Sequence, residues 1–155
     1  MLLPDLPPDL QFPALLRNEQ SLRYAFEAKR AAMGPYIVQR WGWDEALQLR
    51  LHGERFAEKP FFKIVWRGQD VGTVSLMRLA DYIRFGEFYL FPEHQRRGIG
   101  STILGYCLAL ADAQAIPVRL EYLKWNPVGT LYRRHGFTVI GETEIHWLME
   151  RPSRA

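Results

Sequence analysis

Arg84-Phe-Gly-Glu-Phe-Tyr-Leu-Phe91 is followed by Pro92-Glu-His94 and by Gln95-Arg-Arg-Gly-Ile-Gly100, which opens an apolar stretch running to Ala113. Aromatic and branched residues closed by Pro92 predict a strand, since proline cannot donate to a ladder and marks an exit from a sheet. Beyond it Ile99, Ile103, Cys107 and Ala111 recur at four-residue steps, with Leu104, Leu108 and Leu110 widening the stripe into one buried helix face. The start of such a helix carries amides without partners and a partial positive charge. Gly98 and Gly100 remove the Cβ atoms that would hold an anion away, and Arg96 and Arg97 add full charges, so the junction reads as a phosphate cradle. A P-loop would need Gly, four residues and Gly-Lys-Ser/Thr, which the chain lacks; a dinucleotide fingerprint would need glycine where Ile103 stands. An ordinary strand-to-helix turn with two solvated arginines is the competing reading of these residues taken alone.

The 155 residues suit one globular domain with a substantial core, and an apolar content of 48% with 24% charged residues excludes a disordered chain. A net charge of +3 and a pI near 9.2 are mild, and the basic residues are scattered, which favours an anionic small ligand over a nucleic-acid groove. Cys107 is the one cysteine, so there is no internal disulfide and no multi-cysteine metal site, and its place on the helix stripe makes it core packing. No signal peptide is legible at Met1, and the apolar run Ile103 to Ala111 is about half of what crosses a bilayer. A reducing, cytoplasmic setting without membrane contact is the expectation.

In chain order, Pro4, Pro7 and Pro8 predict an extended tail over residues 1–12, with one domain over 13–155. Pro13 to Arg17 is a candidate first strand. A helix from Ser21 to Met33 is predicted to stop at Gly34-Pro35, and Asp44 caps a second helix running to about Phe56. Phe61 to Trp66 and Val71 to Leu79 form a hairpin that leads into the Arg84 strand. After the central helix, Val118 to Leu123 is a strand, and Asn126-Pro127 opens a short helix that Gly136 ends. Phe137 to Ile140 and Ile145 to Met149 close the chain as strands.

Gln-x-x-Gly-x-Gly at Gln95 to Gly100, and Asn126-Pro-Val-Gly-Thr-Leu-Tyr132 followed by Gly136-Phe137, together resemble the two signatures of the GNAT superfamily of N-acetyltransferases. The resemblance spans about residues 13 to 150 and implies a central mixed, mostly antiparallel α/β sheet of six to seven strands flanked by about four helices, splayed before the two signatures. It implies direct transfer of an acetyl group from acetyl-CoA to the amine of a small molecule or peptide, without metal, nucleic acid or membrane, and with a homodimer left open. By the same resemblance Leu90 and Phe91 meet pantetheine, a backbone amide near Leu90 faces the oxyanion, and Gln95, Arg96, Arg97, Gly98, Ile99, Gly100 and Ser101 cradle the diphosphate. Asn126 then contacts the cofactor, and Tyr132 donates to the departing thiolate; a core tyrosine and a plain helix cap are the bland alternatives.

Departures from the pattern limit what is carried over. Where some members place a catalytic glutamate this chain has Arg84. Glu87, among apolar neighbours, is the candidate base, its pKa raised by partial burial, against a solvent-facing glutamate or one paired with Arg84. His146 is the reserve base. Gly129, a poor helix former, suggests close approach to the cofactor. Tyr36, Trp43, Trp147 and His146 are candidates for the acceptor side, although aromatic clusters more often pack. A catalytically silent acyl-CoA-binding domain is the alternative function.

Overall fold

The structure, a computed structural model, describes residues 9–154; most of the expected tail, residues 1–8, lies outside them. The elements are strand β1 (Leu10–Gln11), helices α1 (Glu19–Trp41) and α2 (Glu45–Glu58), strands β2 (Phe61–Trp66), β3 (Gln69–Arg78) and β4 (Ile83–Leu90), helix α3 (Ile99–Ala113), strand β5 (Val118–Leu123), helix α4 (Gly129–Arg134), and strands β6 (Thr138–Glu142) and β7 (His146–Arg151). The strands form one mixed sheet in the order β1-β2-β3-β4-β5-β7-β6. β4 and β5 are parallel, pairing Ile83 with Val118 and Arg84 with Arg119 where both strands begin. The pairs β1–β2, β2–β3, β5–β7 and β6–β7 are antiparallel. This is the mixed, mostly antiparallel α/β sheet with flanking helices that the sequence predicts. No helix among the described residues is long and apolar enough to cross a membrane.

The chain divides into two compact units. The first takes residues 9–75 and 87–97. Its core gathers Ala25 of α1, Phe56 of α2 and Phe61 of β2, with Leu15 and Leu22 against them. His52 lies fully buried inside this apolar set, 5.5 Å from the Phe26 ring and 5.8 Å from that of Phe61. Asp44 caps α2 as predicted, accepting from the Leu47 amide at 3.0 Å, while Arg17 donates to the Phe56 and Lys59 carbonyls at the other end. A cation there suits the negative end of the helix dipole.

Two boundaries in this unit differ from the sequence expectation. The first strand is Leu10–Gln11, followed by an isolated bridge from Ala14 to Phe62, because burying Leu10 and Phe12 outweighs the extended-tail signal of the prolines before them. Helix α1 does not stop at Gly34-Pro35 but runs on to Trp41. Proline inside a helix costs about 3 kcal/mol through its missing N–H and ring clash. Burying Ile37 two residues later offsets much of that, at roughly 1.5–3 kcal/mol. The helix ends instead at Gly42, whose φ of 71° closes a bond from its N–H to the Val38 carbonyl at 3.1 Å.

The second unit takes residues 76–86 and 98–154. Helix α3 buries Ile99, Ile103, Leu104, Cys107, Leu108, Leu110 and Ala111, the stripe read from the sequence. Burial pushes the Cys107 thiol up to about 12, consistent with packing rather than reactivity. At the far end of α3, Asp112 takes two bonds from the Arg151 guanidinium, 2.6 and 3.1 Å, and one from the Arg154 amide. This clamp fixes the end of β7.

Candidate active site

β4 ends at Leu90, and the chain leaves it through a single 3-10 turn, Pro92–His94. Gln95 then donates from Nε2 to the Leu90 carbonyl at 2.9 Å, so its side chain ties the loop back to the strand it left. Arg96 (φ 60°) and Gly98 (φ 77°) both take left-handed backbone conformations. Left-handed residues in such a loop aim successive amides into one concavity, the geometry of an anion-binding nest. At Gly98 a Cβ would meet nothing within 4 Å, so glycine is required by φ and not by space.

Gly98 is the N-cap of α3, and no side chain caps the helix. The first helical bond on this turn runs from the Thr102 N–H to the Gly98 carbonyl at 3.1 Å. The amides ahead of Thr102 are therefore the unfilled donors of a helix start. Arg96 and Arg97 are exposed and have no ion-pair partner among the described residues. Open amides, two unpaired guanidinium groups and no competing side chain fit a diphosphate. Ile99 is buried at 5% exposure and anchors the helix, leaving its backbone for any ligand. Ser101 Oγ lies 3.1 Å from His135 Nε2, and His135 Nδ1 lies 2.9 Å from the Leu131 carbonyl. A carbonyl only accepts, so in the neutral ring Nδ1 carries the hydrogen and Nε2 accepts from Ser101. Sequence reading missed this pair; its signal was a serine on the first turn of α3 and a histidine just before Gly136.

Tyr132, on α4, is buried within rings: Phe85 at 6.3 Å, Tyr122 at 5.8 Å and Phe137 at 5.8 Å between centroids. Burial, and then the neighbouring Tyr122, push its hydroxyl well above the usual phenol range, so it stays protonated. No group among the described residues hydrogen-bonds to that hydroxyl. Asn126 Oδ1 accepts from the Val128 amide at 3.0 Å, capping the turn into α4, whose first residue is Gly129 and not Pro127. Gly129 faces Tyr122: a Cβ there would lie 2.3 Å from the Tyr122 hydroxyl oxygen and 2.7 Å from its ring carbon. Close approach to a neighbouring tyrosine is enough to account for the glycine.

Glu87 is neither solvent-facing nor paired with Arg84, which reaches Glu121 at 3.4 Å instead. It sits on β4 in a left-handed conformation (φ 47°), uncommon for a residue with a Cβ, and its carbonyl accepts from the buried Thr73 hydroxyl at 2.8 Å. Its side chain is buried, with Oε1 held by Lys59 Nζ at 3.0 Å. Burial alone would raise the carboxyl, but Lys59, with help from Arg55 and Tyr89, lowers it below the ordinary carboxylate value. The expectation of a raised pKa is thus reversed, because the sequence does not show that Lys59 will stand beside it. Tyr89 lies near enough to favour the charged form, yet Oε2 itself is buried without a hydrogen bond of acceptable geometry. Lys29 of α1, 3% exposed, shares this neighbourhood with Arg55 and Lys59.

The other candidates divide. Trp43 is bound into the junction of α1 and α2, with Nε1 donating to Glu45 at 2.8 Å and its ring beside Phe26 and under Arg30. Those contacts hold the ring at the junction. Tyr36 lies within α1, half-buried, and not in a loop. His146 begins β7 opposite Leu123, its amide bonded to the Thr143 hydroxyl at 2.9 Å, and the neighbouring Trp147 ring lies under Lys124. Among the described residues no group of three or more His, Cys, Asp and Glu could hold a metal.

The fold is similar to solved acetyltransferases. The PaiA N-acetyltransferase of Thermoplasma acidophilum, solved with coenzyme A, aligns at a TM-score of 0.72 and 19% identity over 92% of this chain and 98% of its own. The ribosomal-protein-S18-alanine N-acetyltransferase of Escherichia coli aligns at 0.64 and 19%, covering 94% and 96%. RimL, a ribosomal L7/L12 alpha-N-protein acetyltransferase solved with coenzyme A, aligns at 0.65 and 14%, covering 96% and 97%. No curated relative matches the sequence. Residues 57–139, more than half of the chain and inclusive of both signatures, match the acetyltransferase (GNAT) domain family. The protein therefore belongs to the GNAT family of acetyltransferases.

Proposed function

We propose that the protein transfers an acetyl group from acetyl-CoA to a primary amine by direct attack, with both substrates bound together. The observation that carries this reading is the uncapped start of α3, with left-handed Arg96 and Gly98 ahead of it and two unpaired arginines beside it. Bound there, acetyl-CoA supplies the acyl group as a thioester. The amides from Arg96 to Ser101 hold its diphosphate, Arg96 and Arg97 neutralise it, and the backbone of Leu90 to Glu93 pairs with its pantetheine amides. A backbone amide near Leu90 stabilises the oxyanion that develops on attack.

Tyr132 donates its hydroxyl proton, or a hydrogen bond, to the departing thiolate. Its raised pKa keeps that proton in place across the working pH range. Glu87 meets the acceptor's ammonium through Oε2, the buried acceptor atom that lacks a donor. At neutral pH an alkyl ammonium near 10.4 is free amine to only about one part in a thousand, so a fixed carboxylate that orients the ammonium and takes its proton as attack proceeds assists the step, although Lys59 makes it a weaker base than an ordinary glutamate. The test is a panel of amines assayed for CoA thiol release with the purified protein. Turnover of at least one amine supports the reading. Acetyl-CoA binding without turnover of any amine would instead indicate a silent acyl-CoA-binding domain.

A further inference from the structure

Lys59 stands where three local constraints meet. As the C-cap of α2 its N–H donates to the Arg55 carbonyl at 2.9 Å, and its own carbonyl takes a bond from the Arg17 guanidinium at 3.1 Å. Pro60 follows, and a residue before proline is driven out of the helical region, so Lys59 is extended (φ −109°, ψ 147°). The backbone that carries this lysine is thus fixed at the step from α2 to β2. Glu87 is fixed as well: its backbone is left-handed (φ 47°), and its carbonyl accepts from the Thr73 hydroxyl at 2.8 Å. Its side chain is 5% exposed, with Oε1 at 3.0 Å from Lys59 Nζ. The charged form of Glu87 is favoured first by Lys59, then by Arg55 of α2 and Tyr89 of β4, and Glu87 acts in turn on the ionisation of Lys29 of α1 and His52 of α2. Among the described residues Lys59 is the cation in ion-pair contact with it.

We propose that Lys59 is a positioning residue of the acceptor site: it holds Oε1 of Glu87, keeps the carboxylate charged and leaves Oε2 as the oxygen that receives the acceptor's amine. The proposal rests on the reading that Glu87 faces the acceptor. A buried ion pair kept for stability alone gains little over apolar side chains of the same size, unless further hydrogen bonds satisfy its remaining atoms. Here Oε2 has no hydrogen bond of acceptable geometry, so the pair is incomplete on one side. One oxygen anchored and one open is what a carboxylate needs in order to meet an incoming donor without first turning. Without the ammonium, burial, the largest single influence on Glu87, is opposed only by Arg55 and Tyr89, and the carboxyl holds its proton to higher pH. The side chain also loses its anchor, and small misplacements at a reacting centre cost about 10²-fold in rate.

The experiment measures CoA thiol release across pH with the fastest of three amines, spermidine, Nα-acetyl-lysine amide and alaninamide, for the natural protein, Lys59→Met, Lys59→Arg, Glu87→Gln and the double variant Lys59→Met/Glu87→Gln. Protonation of the amine itself gives a limb common to all of them. In the natural protein the limb owed to Glu87 lies below the ordinary glutamate value of 4.5. Lys59→Met should bring a second limb into the range from about pH 4.5 to 7 and lower kcat by about 10²-fold, with acetyl-CoA affinity unchanged. Lys59→Arg, which keeps the charge, should show no such limb. In the Glu87→Gln background Lys59→Met should have no further effect on kcat/KM, and this double variant, free of the uncompensated carboxylate, decides the matter even where Lys59→Met alone does not fold. A profile for Lys59→Met that matches the natural one, a shifted limb in Lys59→Arg, or a further loss in the double variant would each overturn the proposal. Acetyl-CoA binding without turnover of any of the three amines would overturn it together with the role given to Glu87, and failure of acetyl-CoA to bind would overturn the acetyltransferase reading beneath both.

Discussion

Tyr132 is held by ring contacts to Phe85, Tyr122 and Phe137, none of which involves its hydroxyl. Tyr132→Phe keeps those contacts, so fold and acetyl-CoA affinity should persist while the chemical step slows by about 10² to 10⁴. Single-turnover kinetics with a working acceptor check this, and an unchanged chemical rate removes Tyr132 from the mechanism. Glu87 and Lys29 each make stability rise with pH, in different windows. The Glu87 pKa is lowered in the folded state, so its contribution is present above the unfolded carboxyl value and is lost as pH falls through the folded one. Melting temperatures below about pH 4.5 should therefore fall less steeply in Glu87→Gln than in the natural protein. Lys29 is lowered from 10.5 to about 8, so between those values the unfolded chain binds more protons and stability rises with pH. The whole rise is on the order of 3 kcal/mol. Lys29→Met should abolish it, and an identical alkaline rise in the variant would show that Lys29 is not its source.

Among the elements, α4 shows magnitude deciding between two effects. Gly129→Ala, at the first residue of α4, would ordinarily favour the helix by at most about 1 kcal/mol. Here the new Cβ would stand 2.3 Å from the Tyr122 hydroxyl oxygen, which also receives a bond from Arg133, so the clash wins. Overpacking of this kind typically costs about 1–3 kcal/mol. Thermal unfolding should show a lower melting temperature for Gly129→Ala, and Tyr122→Phe added to it should recover part of the loss; a gain in Gly129→Ala alone would contradict the packing seen. The same element shows where sequence reading reached. Asn126, Tyr132 and Gly136 announced a short capped helix, because capping and left-handed stops are local chemistry. The neighbour that requires Gly129 comes from β5, which no local pattern reveals. Likewise the Gly34-Pro35 stop signal was overridden in α1 by the burial of Ile37, a tertiary effect.

At the scale of the molecule, the order of strands and helices was legible because periodicity, turn residues and two spaced signatures all point the same way. The chemistry around Glu87 was not. Its ionisation is set by Lys59, 28 positions away, and its left-handed backbone is stabilised by Thr73, so neither could be read from its own strand. The proposed phosphate cradle, by contrast, is one contiguous run from Gln95 to Ser101, and the uncapped helix start that it opens is where the sequence predicts a helix to begin. Every catalytic role proposed above depends on that run binding acetyl-CoA. Titration of the purified protein with acetyl-CoA in EDTA, followed by its melting temperature, tests this most directly beside Gly100→Asp. The variant adds a Cβ and a negative charge at the start of α3, where an acidic side chain favours the helix dipole but repels a diphosphate, so the fold should persist. A rise of several degrees is expected for the natural protein at ligand well above Kd, and none for Gly100→Asp. No rise at millimolar acetyl-CoA, or an equal rise in the variant, would contradict it.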